Sequence, residues 1–227
     1  MTKSDLEKKK KRLLEYSQLM QKEGLVVGPG GNTSIKDDDG VMWISPSGIP
    51  FMEMSIDDFV PIDVSTGKIL DPKLMPSSEV ALHLFLYQAR SDINCIFHSH
   101  PPYVISLSSV DILLVPLFPD FVVYLGDYVP QVTYVTPCTE DMAQLVVQAM
   151  KDVPSCVLKN HGAVAVGKSI KEAYTRTQVL ESGAQILFQA KLLGEPYVLS
   201  KKDSQAILNL DIEQYRKKLL KKSDKVR

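Results

Sequence analysis

Cysteine is scarce in this chain: Cys95, Cys138 and Cys156 are its three thiols, and none stands in C-x-x-C spacing. An odd number without paired spacing excludes a disulfide scaffold and a thiolate metal site, and the mostly apolar neighbours mark all three as small buried hydrophobes. Histidine is nearly as scarce, at four residues, and tryptophan occurs once. No run approaches the roughly 18 apolar residues that a membrane-spanning helix needs. Met1-Thr2-Lys3-Ser4-Asp5 leads into a charged segment rather than a secretion signal, so the expectation is a soluble cytoplasmic protein. Internal repeats and low-complexity linkers are lacking too. The 227 residues, 44% of them hydrophobic, therefore read as a single domain over 1–227 with a sizeable core.

The net charge of −1 conceals basic ends. Residues 1–24 carry seven Lys/Arg against four acids, and the helix or tail at about 201–227 carries nine against four, leaving the middle near −9. Both ends also keep helical apolar spacing, with Leu6, Leu13 and Leu14 in one and Ile207, Leu210, Leu219 and Leu220 in the other. Solvated helix faces account for that pattern better than a nucleic-acid arm, and no RNA or DNA motif accompanies it.

Ser4-x-x-Glu7 has the form of a capping box, which predicts a first helix over about 4–23 that stops at Gly24. Gly28-Pro29-Gly30-Gly31-Asn32-Thr33-Ser34 is too rich in glycine for helix or strand interior, and Val41–Ile44 is a short strand ending at Ser45-Pro46-Ser47-Gly48. Pro76-Ser77-Ser78-Glu79 opens a helix to about Arg90, with Ser77 or Ser78 as its cap and Glu79 in its first turn. Asn94–His98 reads as a strand, Tyr103–Ser109 as a helix, and Phe121–Leu125 and Val129–Val135 as strands. Helix over Thr139–Asp152, a strand over Cys156–Val166 broken at Asn160-His161-Gly162, a capped helix over Ser169–Leu193 and a last helix over about 203–222 complete the reading. Helices and strands are interspersed without regular βαβ units. The expected fold is α/β, a three-layer α/β/α arrangement on a central mixed, largely antiparallel sheet.

Three of the four histidines fall in two short motifs, His98-Ser99-His100 and Asn160-His161-Gly162. In a strand, residues two apart share a side, at about 6.5 Å between Cα atoms, so His98 and His100 can share one ion. Three neutral nitrogens with a fourth position left open is the pattern of a catalytic zinc site. Glu79, upstream in its Ser-Ser-Glu turn, adds a carboxylate to this constellation, against the plainer reading of a helix-capping charge. His83, four residues on and on the same helix face, has the position of a supporting partner to Glu79 but reads better as a packed helical histidine, and is left out of the ligand set.

Gly30-Gly31-Asn32-Thr33-Ser34, Ser45-Pro46-Ser47-Gly48, Pro76-Ser77-Ser78-Glu79, His98-Ser99-His100-Pro101 and Asn160-His161-Gly162 together resemble, in order and spacing, the signatures of the class II aldolase and adducin superfamily over about residues 8–195. The resemblance implies that His98, His100 and His161 bind one divalent cation per subunit, zinc foremost, with manganese or cobalt as alternatives. It implies Glu79 as catalytic acid/base and Asn32, Ser47, Gly48, Ser77 and Ser78 as the phosphate pocket. Hydroxyls, an amide and free N–H groups do make an anion site without a basic side chain. Family members often use a tyrosine as proton donor; Tyr124, with Tyr215 as a second choice, is the candidate by position.

The implied activity is reversible cleavage of a ketose 1-phosphate to dihydroxyacetone phosphate and an aldehyde, by a metal-dependent carbon–carbon lyase acting as a homotetramer, without nucleic acid or membrane. Apolar residues over Ile112–Phe118 suggest a 5-deoxypentulose or methylthio-pentulose phosphate. Pentulose-phosphate 4-epimerases and methylthioribulose-phosphate dehydratases share the ligand set and stay open as alternatives. A non-catalytic adducin-like interaction module is disfavoured, because all four donor residues are present.

Overall fold

The computed structural model describes residues 2–222 and is built around one seven-stranded sheet. In chain order the elements are α1 (Lys3–Lys22), β1 (Asn32–Lys36), β2 (Val41–Ile44), β3 (Val60–Asp63), α2 (Val80–Ala89), β4 (Cys95–Ser99), α3 (Pro102–Ser109) and α4 (Pro119–Leu125). There follow β5 (Gln131–Val132), α5 (Glu140–Ala149), β6 (Ser155–Leu158), β7 (Gly162–Gly167), α6 (Ile170–Leu193), α7 (Lys201–Leu208) and α8 (Asp211–Lys222). The strand order is β3-β2-β1-β4-β7-β6-β5, antiparallel throughout except for the β5–β6 pair. The mixed, largely antiparallel α/β/α fold is thus as expected.

Strand alternation assigns the layers. Ile96, Val164, Val166, Cys156 and Leu158 face α2 and α5, where they meet Leu82, Leu86, Met142 and Val146. The intervening Cys95, Phe97, Ala163, Ala165 and Val157 face α1, α3, α4 and α6. Leu82 and Leu86 are fully buried, each worth about 2 kcal/mol of burial, and so clamp α2 onto the sheet. His98 has the parity of Ile96 and therefore points to the α2 side.

Several boundaries differ from the sequence reading. Phe121–Leu125 is the body of helix α4, not a strand: Pro119 at its first turn fixes a helical start, and the four apolar residues it buries fill the layer under α6. The strand expected over Val129–Val135 contracts to Gln131–Val132, between Pro130 and Pro137. Asn32, Thr33 and Ser34 belong to β1, and β3 was not anticipated. Helix α1 is capped by the Thr2 side chain, which accepts the Asp5 N–H, rather than by a Ser4 box. The C-terminal helix is two helices, α7 and α8, separated at Asn209 and Leu210. The 223–227 part of the basic tail, like Met1, lies outside the described residues. Cys138 is exposed, unlike buried Cys95 and Cys156.

Candidate metal and anion site

Register sets the site before any side chain is considered. Pairing of β1 with β4 places Asn32 opposite His98, and pairing of β4 with β7 places Ser99 opposite Ala163. His161 lies at the tip of the β6–β7 turn, where Asn160 takes the left-handed conformation at φ 57°. The following residue must be glycine: a Cβ on Gly162 would stand 2.1 Å from the Ser99 carbonyl oxygen. Gly31, at φ 69°, is pressed in the same way against the His98 carbonyl, where a Cβ would lie at 2.8 Å. These close approaches draw the two histidine-bearing segments together.

Glu79, His98, His100 and His161 converge, with one donor atom from each all within 4.8 Å of one another. Glu79 Oε2 is 3.0 Å from His98 Nε2, and Oε1 is 3.3 Å from His161 Nε2. The Nε2 atoms of His98 and His100 face each other at 3.1 Å. His98 Nδ1–H donates to the Ala163 carbonyl at 3.1 Å, which leaves its Nε2 lone pair aimed into the cluster. Lone pairs facing lone pairs and a carboxylate are reconciled by a shared cation. Donors around a tetrahedral ion with about 2.05 Å bonds stand about 3.3 Å apart, close to the separations seen. The set fits a divalent metal.

Electrostatics agree. Burial opposes charge on Glu79, yet His98, His161 and the Asn32 amide outweigh it and hold the carboxyl well below the usual range. Burial opposes a proton on His98 as well, but facing Glu79 leaves its pKa raised. Burial, reinforced by the neighbouring rings, pushes His100 down to about 3 and His161 down to about 4. Near neutral pH the cluster therefore offers an ionised carboxylate and two neutral imidazoles, His100 and His161, while Glu79 favours a proton on His98.

Glu79 is the residue at the N-cap of α2, yet its side chain makes no capping bond; it turns to the histidines. This removes the helix-capping explanation for it. Ser77 Oγ accepts the Glu79 N–H at 3.3 Å, and the N-cap falls at Glu79, one or two residues after the predicted Ser78 or Ser77. Asn32, Ser47, Gly48, Ser77 and Ser78 all line one cleft of about 280 Å³ that opens onto Glu79, His100 and His161. Among the described residues its lining contains neither lysine nor arginine. Asn32 is doubly engaged: Nδ2–H donates to Glu79 Oε2 at 2.8 Å, and Oδ1 lies 2.5 Å from His83 Nε2.

Three candidates lie outside this chain's own cleft. Tyr124 is on α4, with its carbonyl accepting from Arg176, and it does not line the cleft; Tyr215 is exposed on α8. The 112–118 stretch does not line it either: Leu114 is buried against α3, α4 and α6, and Leu113 is exposed. Two residues escaped the sequence reading. Cys138, in left-handed conformation at φ 65°, lines the cleft and reaches Ser78 Oγ at 3.3 Å. His83, taken for packing alone, is bonded through both ring nitrogens; the spacing of four from Glu79 was the signal.

Residues 11–188 match the family described as Class II Aldolase and Adducin N-terminal domain. The chain is 34% identical over 195 residues to the 5-deoxy-D-ribulose 1-phosphate aldolase of Bacillus thuringiensis serovar kurstaki, covering 86% of this chain and 91% of that one. It is 36% identical over 185 residues to an L-fuculose phosphate aldolase of Methanococcus maripaludis, covering 80% and 97%. A solved L-fuculose 1-phosphate aldolase superposes with a TM-score of 0.85 at 31% identity, over 95% of this chain and 98% of that one.

Proposed function

This chain belongs to the class II aldolase and adducin family, and on that premise we propose that it is a divalent-metal-dependent aldolase cleaving a 5-deoxypentulose 1-phosphate, reversibly, to dihydroxyacetone phosphate and a short aldehyde. One observation carries the reading: three imidazole nitrogens and an ionised carboxylate meet at one end of a cleft whose wall is formed by all five anion-site candidates.

His98, His100 and His161 would hold the ion, and when bound it supplies Lewis acidity for the negative charge that builds on the substrate's ketone and hydroxyl oxygens. Glu79 moves the proton at the carbon alpha to the ketone, removing it in condensation and returning it in cleavage. It is ionised at rest and free to accept that proton, although its lowered pKa makes it a weaker base than an unperturbed carboxylate. Ser47, Ser77 and Ser78 hydroxyls, with Gly48 and its positive φ of 75°, hold the phosphate by hydrogen bonds alone. The 5-deoxy preference rests on the relative of that name and not on the apolar 112–118 stretch, which packs elsewhere.

We assign zinc as the native ion, with manganese or cobalt as substitutes, because three nitrogens with one open position suit it. Leu192, Leu193 and Tyr197, at 72%, 91% and 77% exposure, support association of copies, and we propose a homotetramer. No helix among the described residues is long and apolar enough to cross a membrane; we place the reaction in the cytoplasm. Incubation with dihydroxyacetone phosphate and a panel of aldehydes, with zinc, manganese or cobalt, tests the reading. Condensation is expected with acetaldehyde among them, and absence of condensation with every aldehyde and metal would overturn it.

A further inference from the structure

Between α2 and β1 runs a polar seam inside an otherwise apolar layer. Glu79, His83 and Tyr87 are four residues apart and share one helix face, while Asn32 and Ser34 are two apart and share one strand face. Interleaved, they form one chain of hydrogen bonds: Tyr87 OH to Ser34 Oγ at 2.9 Å, Ser34 Oγ to His83 Nδ1 at 2.7 Å, His83 Nε2 to Asn32 Oδ1 at 2.5 Å, and Asn32 Nδ2 to Glu79 Oε2 at 2.8 Å. His83 and Ser34 are fully buried, and Asn32 and Tyr87 are nearly so.

The donors and acceptors of this chain have one consistent assignment. Ionised Glu79 can only accept, so Asn32 must present its amide N–H there and its carbonyl oxygen to His83. The His83 Nε2 must then carry the hydrogen, and Nδ1 must accept the Ser34 hydroxyl proton. An asparagine amide is nearly symmetric in shape, and its two orientations differ here in whether a donor or a lone pair meets the carboxylate. We propose that His83 is a positioning residue: it locks Asn32 in the orientation that donates to Glu79, and so fixes the carboxylate against the three imidazoles. This rests on the acid/base role proposed for Glu79. The helix–strand seam has no other evident purpose, since an apolar residue at each of these buried positions would satisfy packing alone.

The test combines a spectrum with kinetics. In the full-length chain labelled with 15N-histidine, His83 is expected as the Nε2–H tautomer with no titration between about pH 5 and 9; a Nδ1–H tautomer would overturn the proposal. This spectrum is readable whether or not the chain turns over any ketose phosphate, so failure of the aldolase reading shows separately, as inactivity of the unaltered protein. In the zinc-loaded enzyme, His83→Leu should lower kcat by about tenfold to a hundredfold, with KM within threefold and metal content retained. His83→Gln, which restores a donor toward Asn32, should recover most of that loss. Unchanged kcat in His83→Leu, or no recovery in His83→Gln, would assign the seam to packing alone. Should His83→Leu fail to fold, Ser34→Ala serves: it removes the group that keeps Nδ1 unprotonated, and should lower kcat at least threefold, whereas no change refutes the lock.

Discussion

Replacing Glu79 by glutamine separates the carboxylate's chemistry from its shape. Glu79 is buried, and its Oε2 accepts from Asn32 at 2.8 Å; an amide oxygen can accept the same bond, so the fold should change by no more than about 1 kcal/mol. What the variant loses is a base and a negative charge. General acid–base catalysis contributes about 10²–10⁴-fold, so kcat should fall by that factor, about 3–5 kcal/mol of barrier. The charge also favours the cation. A single negative charge and a divalent cation about 4 Å apart attract by about 8 kcal/mol at an effective dielectric near 20, twice the value for unit charges, which sets a ceiling of about 10⁶ on the loss of metal affinity. With three imidazoles intact, excess zinc should still fill the site. The assay is exchange of the alpha proton of dihydroxyacetone phosphate with deuterated water, followed by NMR in the metal-saturated variant, with metal content measured beside it. Exchange at the unaltered rate would remove Glu79 from its role; loss of metal at saturation would make it primarily a ligand.

Gly162→Ala should cripple the site without touching a donor: its Cβ would stand 2.1 Å from the Ser99 carbonyl oxygen, so β4 and β7 must part. A stability loss of about 3 kcal/mol or more, read as a drop in Tm with weakened metal uptake, is expected, and unchanged Tm would contradict the contact. Metal affinity should fall as pH drops. His98 has a raised pKa while His100 and His161 lie near 3 and 4, so a single proton competes with the ion. Calorimetry should show about one proton released per ion below the His98 pKa, with affinity falling about tenfold per pH unit; a pH-independent affinity between 5 and 8 would refute that ordering. Glu181 on α6 accepts the Tyr103 and Val104 N–H groups at 3.0–3.1 Å and so holds the start of α3, directly after His100. Glu181→Gln should lower stability by about 1 kcal/mol, measured by denaturant unfolding, and an unchanged midpoint would show those bonds to be worthless.

The metal cluster was legible because period-two alternation and a glycine-marked turn are local rules. His98 needed only a strand, His100 the same alternation carried one residue past the end of β4, and His161 a turn that its neighbour Gly162 guaranteed. The anion residues were legible through their turn chemistry. Helix α4 was not, since Phe121-Val122-Val123-Tyr124-Leu125 is apolar on every side and carries no period; Pro119 alone marked it as helical. The bonding of Asn32 to His83 was not legible for a different reason. Whether a buried histidine is filler or a hydrogen-bonded strut depends on what the opposite strand presents, and the pairing of α2 with β1 crosses about 50 residues of sequence in which no local rule operates. Tyr124 lies outside this chain's own cleft for the same reason: its helix carries it away.

The account rests most directly on the bonding of the ion. X-ray absorption at the metal edge of the zinc-loaded protein should show one ion per chain with three imidazole nitrogens at about 2.0–2.1 Å and no sulfur. A sulfur shell from Cys138, or a spectrum with one or two imidazoles, would contradict the three-histidine site from which the rest follows.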